Sequence, residues 1–223
     1  MTLKNTILNS FKPGQIFSLQ DLNIAQDKKA SACVTLSNMV TSHQLCRLAQ
    51  NAYYLPEKSV IFGTLPPSEA QVIDFICRKT NGYVSGITAY NGMGLTEQVP
   101  NIIVIATKNK TQKYQSLIGS KIQLKKAYSS ARDKNIQLLQ ILDAITEIKE
   151  IPANTISDSV EKISRIINGL DSQNRIALTD YSKEYPPRTR YILSKIFEKQ
   201  GCQHEAKQLA ATLNNTTRFQ YDY

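Results

Sequence analysis

Within residues 28–55 the apolar periodicity changes once, and that change limits the folds open to the chain. Residues 28–42 carry Ala32, Cys33, Leu36, Met39 and Val40 on one face at helical spacing, so this face is expected to be core. Residues 45–49 and 52–55 then alternate, joined by Gln50-Asn51, the turn chemistry of a tight hairpin. Upstream, Thr2 can cap a helix ending near Ser10, Pro13-Gly14 breaks it, and residues 15–17 are expected to be extended. Ser18 is placed to cap a second helix carrying Leu19 and Leu22, with a break at residues 23–27. The expected order is helix, strand, helix, helix, hairpin.

That is the order of a winged helix-turn-helix, so residues 1–62 are expected to form a DNA-binding head. Such a head lays its third helix in the major groove and sets its hairpin against backbone or minor groove. With Leu36 inward, the outward face carries Ser31, Val34, Asn38 and Thr41, flanked by Thr35 and Ser37. Lys28 and Lys29 stand at the N-terminal end of the helix, where they can meet phosphate. Arg47 and the tip pair Gln50 and Asn51 complete the candidate surface. Hydroxyl and amide side chains can read base edges. The competing reading is that these residues are merely solvated and that the winged helix is a scaffold for protein contacts.

The rest reads as a mixed α/β body with a helical C-terminal part, making the chain α+β overall. Gly63, Pro66 and Pro67 mark residues 60–68 as the junction, so the body is expected over 63–213 and a tail over 214–223. Helices are expected over residues 68–80 and 85–93, and strands over 102–106 and 121–125. Further helices are expected over 134–148, 157–169, 171–183, 187–199 and 204–213. Pro187 suits the first turn of the fourth of these.

Lys and Arg outnumber Asp and Glu by 27 to 18, a balance that attracts polyanions such as nucleic acid. Between Gln98 and Arg132 there is no carboxylate, while Lys108, Lys110, Lys113, Lys121, Lys125, Lys126 and Arg132 all fall there. This stretch is a second candidate basic surface, for DNA backbone through counterion release or for an acidic partner; a solvated hairpin rim is the third possibility. The longest apolar run, residues 102–106, is too short to span a bilayer, and the N-terminus lacks the apolar stretch of a secretory signal. A cytoplasmic protein without membrane association is therefore expected. The four cysteines are far apart, without a C-x-x-C pair, so neither metal nor cofactor is expected.

Catalysis is not expected either. A metal-dependent nuclease needs clustered carboxylates beside a lysine, and the lysine-rich strand region has none. Gly82, Gly86, Gly92 and Gly94 are not followed by the Lys-Ser/Thr of a phosphate loop and are expected as turns and helix stops. Asp143 and Glu147, four apart on a helix, are expected on a solvated face. No histidine is placed as the base of a nucleophile.

Three sequence blocks carry a family resemblance. In residues 45–54, LCRLAQNAYY, an arginine-leucine strand turns into a paired-tyrosine strand. Residues 81–91, NGYVSGITAYN, and 94–101, GLTEQVPN, follow Phe62-Gly63 and Pro67-Ser68-Glu69, and residues 185–190 read YPPRTR. Together they resemble the AbiEi-type antitoxins of type IV toxin–antitoxin systems, with the middle block the most specific. The resemblance implies an antitoxin of an abortive-infection type and an autorepressing transcriptional regulator. Its implied partners are double-stranded DNA, namely its own operator with repeated half-sites, and a nucleotidyltransferase-like toxin. Related sequences put more Arg and Lys on the third helix and Lys-Gly at the wing tip, where this chain has Cys33, Val34, Asn38 and Gln50-Asn51.

Overall fold

The computed structural model of the protein describes residues 2–109, 119, 121–152 and 155–214. The fold is mixed α+β, in two compact units: one holds the chain to Lys79, the other residues 80–109 and 121 onward. No described helix is long and apolar enough to cross a membrane.

In the first unit α1 (Leu3–Ser10) starts at Thr2, whose hydroxyl accepts from the Asn5 amide, and β1 (Ile16–Phe17) follows. The expected second helix is a single 3-10 turn, Leu19–Leu22. Ser18 and Asp21 form a capping box there, and Asn23, at φ 48°, turns left-handed straight after it. A start signal and a stop signal with four residues between them leave room for one turn only. After a second 3-10 turn, Gln26–Lys28, α2 (Lys29–Thr41) runs as expected and buries Ala32, Leu36 and Met39. Cys33, expected on that inner face, is exposed, because the actual stripe steps through positions 32, 36 and 39.

β2 (Cys46–Ala49) and β3 (Ala52–Tyr54) form the expected hairpin, and β1 pairs with β3 to give a sheet of order β1-β3-β2. A bulge between Arg47 and Ala49 shifts the register. Ile7, Phe17, Leu36, Met39, Leu45 and Leu55 form one core under this sheet, with Phe11 and Phe17 stacked at 4.1 Å between centroids.

Residues 57–65, which overlap the expected junction, form a second hairpin, β4 (Glu57–Ser59) with β5 (Gly63–Leu65). Its strands are too short to show alternation. The Ser59 hydroxyl accepts from the amides of Ile61 and Phe62 and fixes a tip on which Val60, Ile61 and Phe62 are open to solvent. Helix α3 (Glu69–Thr80) is fastened to this unit by Arg78, which donates to the Ile16 carbonyl at 3.1 Å and pairs with Asp74 and Asp21.

In the second unit β6 (Tyr83–Ser85) lies antiparallel to β7 (Ile103–Thr107), which is parallel to β8 (Ile122–Lys126). Strand β6 is not among the expected elements: Ser85 is expected to open the helix over 85–93, yet it pairs in β6 and α4 spans Gly86–Gly92, while Tyr83 and Val84 carry no expectation. Gly82 cannot be replaced in kind, since a Cβ there would sit 2.7 Å from the Ala106 carbonyl. Gly86 has φ +65° with Val104 packed against it.

The helical part comprises α5 (Ile136–Thr146), α6 (Ile156–Asn168), α7 (Ser172–Ser182), α8 (Pro187–Lys199, starting at the expected proline) and α9 (Gln203–Ala210). The core of this unit is drawn from α4 through α9, with Leu138, Leu142, Ile145, Ile163, Leu178, Ile192 and Phe197 among its fully buried members. The expected tail lies, from residue 215, outside the described residues.

Candidate nucleic-acid interface

Burial of Ala32, Leu36 and Met39 on the inner side of α2 turns its other side outward. Ser31, Asn38 and Thr41 are exposed, Val34 is 61% exposed, and Thr35 is half-buried. The three hydroxyls donate back to their own helix, Ser31 to the Lys28 carbonyl, Thr35 to Ser31 and Thr41 to Ser37, at 3.0–3.3 Å. Back-bonding of this kind orients the oxygen lone pairs away from the helix axis, leaving acceptors on the surface. The exposed Asn38 side-chain amide makes no hydrogen bond among the described residues. Lys28 is exposed and Lys29 half-buried at the N-terminal end.

The hairpin residues separate into two kinds. Arg47 and Gln50 are exposed, with Arg47 making one long bond, 3.4 Å, to the Ala49 carbonyl. Asn51 is turned to the fold: its Oδ1 accepts from the Leu19 amide at 3.0 Å and its Nδ2 donates to Gln20 Oε1 at 2.9 Å. At φ 55° it also takes the left-handed conformation that asparagine tolerates in a turn. Asn51 therefore holds the hairpin against the 3-10 turn, and the outward-facing candidates are the remaining residues.

The second basic stretch is less one-sided than its own sequence. Carboxylates from distant helices reach it: Glu147 pairs with Lys125, and Glu184 pairs with Lys108 at 2.8 Å and with Lys134. Lys125 is half-buried, whereas Lys121, Lys126 and Arg132 are exposed, Arg132 beside Asp133 at 3.8 Å. Lys110 and Lys113 lie outside the described residues. Partial burial of Glu184 works against its charge, but Lys108, Lys134 and Ser129 outweigh it and hold the carboxyl down to about 2.

The expectation of a solvated Asp143 and Glu147 fails. Asp143 is 2% exposed, and its carboxylate accepts from Ser85 Oγ at 2.6 Å and from the hydroxyls of Tyr83 and Tyr185, each at 3.0 Å. One turn on, half-buried Glu147 accepts from the Tyr90 hydroxyl at 2.7 Å and pairs with Lys125. Burial pushes the Asp143 carboxyl up, opposed by Ser85, the Lys125 charge, Tyr83 and Tyr185. Burial likewise pushes Tyr83, Tyr90 and Tyr185 above the ordinary phenol range. A readable signal existed: α5 is apolar on nearly every side, Leu138, Leu139, Ile141, Leu142, Ala144 and Ile145 all being buried, and an acid inside such a helix has to be buried and partnered. The middle block (Tyr83, Ser85, Tyr90) and the late block (Tyr185) thus meet at two carboxylates.

These features define a two-unit α+β protein with a polar, partly basic surface on the first unit and a buried hydroxyl–carboxylate network in the second. The chain belongs to the family of unknown function DUF6088, which matches residues 4–175. No curated protein matches it. Among solved structures it is similar to the Rv2827c protein from Mycobacterium tuberculosis, at 10% identity and a TM-score of 0.49, over 91% of this chain and 78% of that one.

Proposed function

We propose that the first unit is a winged helix-turn-helix and that the protein is a DNA-binding autorepressor serving as the antitoxin of a bacterial toxin–antitoxin pair. The observation that carries the DNA-binding part is the exposed face of α2. It presents Ser31, Asn38 and Thr41, with Lys28 at one end, in a unit whose sheet order is β1-β3-β2 and whose hairpin exposes Arg47 and Gln50. In this role Lys28, Lys29 and Arg47 neutralise phosphates and set the register, while Asn38 and the hydroxyls read base edges. The antitoxin part is supported by the resemblance of the three sequence blocks, and it brings a nucleotidyltransferase-like toxin as functional partner.

The test is fluorescence anisotropy with a duplex from upstream of the protein's own reading frame, titrated at several salt concentrations. Triple replacement of Lys28, Lys29 and Arg47 by alanine is expected to weaken binding and reduce the salt slope by about 0.9 for each lost phosphate contact. Asn38→Ala is expected to cost about 1–3 kcal/mol of discrimination between the operator and a scrambled duplex. Binding that ignores both changes refutes the interface.

The second reading is a protein-interaction module on the same scaffold. It is favoured by apolar Val34 at the middle of the α2 face and by the open Val60-Ile61-Phe62 tip. Equal affinity for the operator and a scrambled duplex, together with loss of toxin neutralisation in Val34→Asp, would select it.

A further inference from the structure

Strands β7 and β8 run parallel and stop together, Thr107 paired with Lys126 and the Ala127 amide bonded to the Thr107 carbonyl at 2.9 Å. The carboxyl ends of parallel strands are where open sheets place ligands. Here they open on a cleft of about 430 Å³ lined by Lys108, Lys126, Ala127 and Tyr128.

Two lysines line this cleft, Lys126 in β8 and Lys108 directly after β7, together with Tyr128, which is 42% exposed. The ring is supported from behind by Tyr185, 5.1 Å away between centroids, so a planar group can stack on it without displacing it. Lys126 is exposed and carries no ion pair among the described residues. Lys108 shares Glu184 with Lys134, one lysine on each carboxylate oxygen. Among the described residues, the ammonium groups of Lys108, Lys126 and the adjoining Lys134 stand against the one carboxylate of Glu184, a net charge of two.

We infer that this cleft binds a phosphomonoester joined to a nucleobase, the phosphate between Lys108 and Lys126 and the base on Tyr128. A phosphomonoester carries about −1.5 to −2 at neutral pH, which balances the local charge, whereas a backbone phosphodiester carries one charge. Stacking on an exposed aromatic ring is indifferent to base identity, so the site selects for the phosphate end. Two sources share this chemistry: a free nucleoside monophosphate and the 5′-phosphorylated end of a single strand. The inference does not rest on operator binding by the first unit.

Calorimetric titration of the full chain with adenosine 5′-monophosphate, inorganic phosphate and adenosine tests it, with a 5′-phosphorylated single-stranded oligonucleotide as a further arm to separate the sources. The nucleotide is expected to bind more tightly than either fragment. Lys126→Gln removes one charge-assisted bond and is expected to lower nucleotide affinity about tenfold. Tyr128→Ala is expected to lower nucleotide affinity while leaving phosphate affinity in place. Glu184→Gln releases Lys108 and is expected to tighten binding; weaker binding in this variant, with its circular dichroism intact, counts against the site. A nucleotide that binds no better than phosphate, or a Lys126→Gln protein that binds it within about twofold of the parent, overturns the inference. So does displacement of the nucleotide by unphosphorylated duplex and phosphorylated strand alike.

Discussion

Replacing Asp143 by alanine withdraws the acceptor from three buried hydroxyls at once. At about 1 kcal/mol per hydrogen bond, the donors at 2.6, 3.0 and 3.0 Å amount to about 3 kcal/mol. Tyr83 and Tyr185, 3.4 Å apart, can turn to one another and recover about 1 kcal/mol. The space left beside Leu139, whose carbonyl lies 3.4 Å from the Tyr185 hydroxyl, costs about the same again. The expected loss is about 3 kcal/mol from the second unit. For a unit of this size, with a urea slope of about 2 kcal/mol/M, the midpoint falls by roughly 1.5 M. Urea unfolding followed by tyrosine fluorescence and circular dichroism measures it, the two units being fitted separately because two-state behaviour cannot be assumed across both. The decisive control is a cycle with Tyr185→Phe. Partners in one network are coupled, so the double variant should cost less than the sum of the single ones, by about 1 kcal/mol. Strict additivity, or a loss below about 1 kcal/mol for Asp143→Ala, would refute the account of Asp143 as the acceptor that ties β6, α5 and Tyr185 together.

Gly82→Ala brings a Cβ to 2.7 Å from the Ala106 carbonyl, so β6 must move off β7; a cost of about 1–3 kcal/mol is expected, read as a lowered thermal midpoint. Asn51→Ala loses two bonds to the 3-10 turn and keeps φ 55°, whereas Asn51→Gly loses the same bonds without the strain. The glycine variant should be the more stable by about 1 kcal/mol in chemical unfolding of the first unit. For Glu184 the folded carboxyl lies at about 2 and its ordinary value is 4.5. Its stabilisation is present above 4.5 and is lost as pH falls toward 2. Thermal midpoints of Glu184→Gln should therefore lack that part of the acid dependence between pH 4.5 and about 2; superimposable profiles would refute it. Asp143 has the opposite sign: its folded carboxyl is raised, so its contribution is fullest below 3.8 and declines as pH rises. Against Asp143→Asn, the parent's relative stability should fall with increasing pH.

The sequence was most readable where apolar period and stop signals agree. Helix α2, the β2–β3 hairpin and α8 with its leading proline fall within a residue or two of expectation. Among the three-residue strands, β3 was legible through the Gln50-Asn51 turn before it, whereas β4, β5 and β6 are too short to show alternation and are defined by pairing. The candidate surface was legible as a helix face, because burial of Leu36 dictates which residues point away. Asn51 was not, since its bonds go to Leu19 and Gln20, some thirty positions earlier in the chain. The same cause hid the neutralisation of the basic stretch, whose carboxylates come from Glu147 and Glu184. Asp143 was misjudged from local spacing alone, although the apolar residues on every side of it already required the opposite placement.

The Asp143 contacts also bear on how the molecule can be divided for experiment. The family match stops at residue 175, ten positions short of Tyr185. An expression fragment trimmed to that boundary would delete α8, and with it Ile192, Leu193, Ile196 and Phe197, leaving one carboxylate oxygen without its phenol. The end of the family match and the end of the folded unit do not coincide in this chain, and a truncation that keeps the core has to extend through α9.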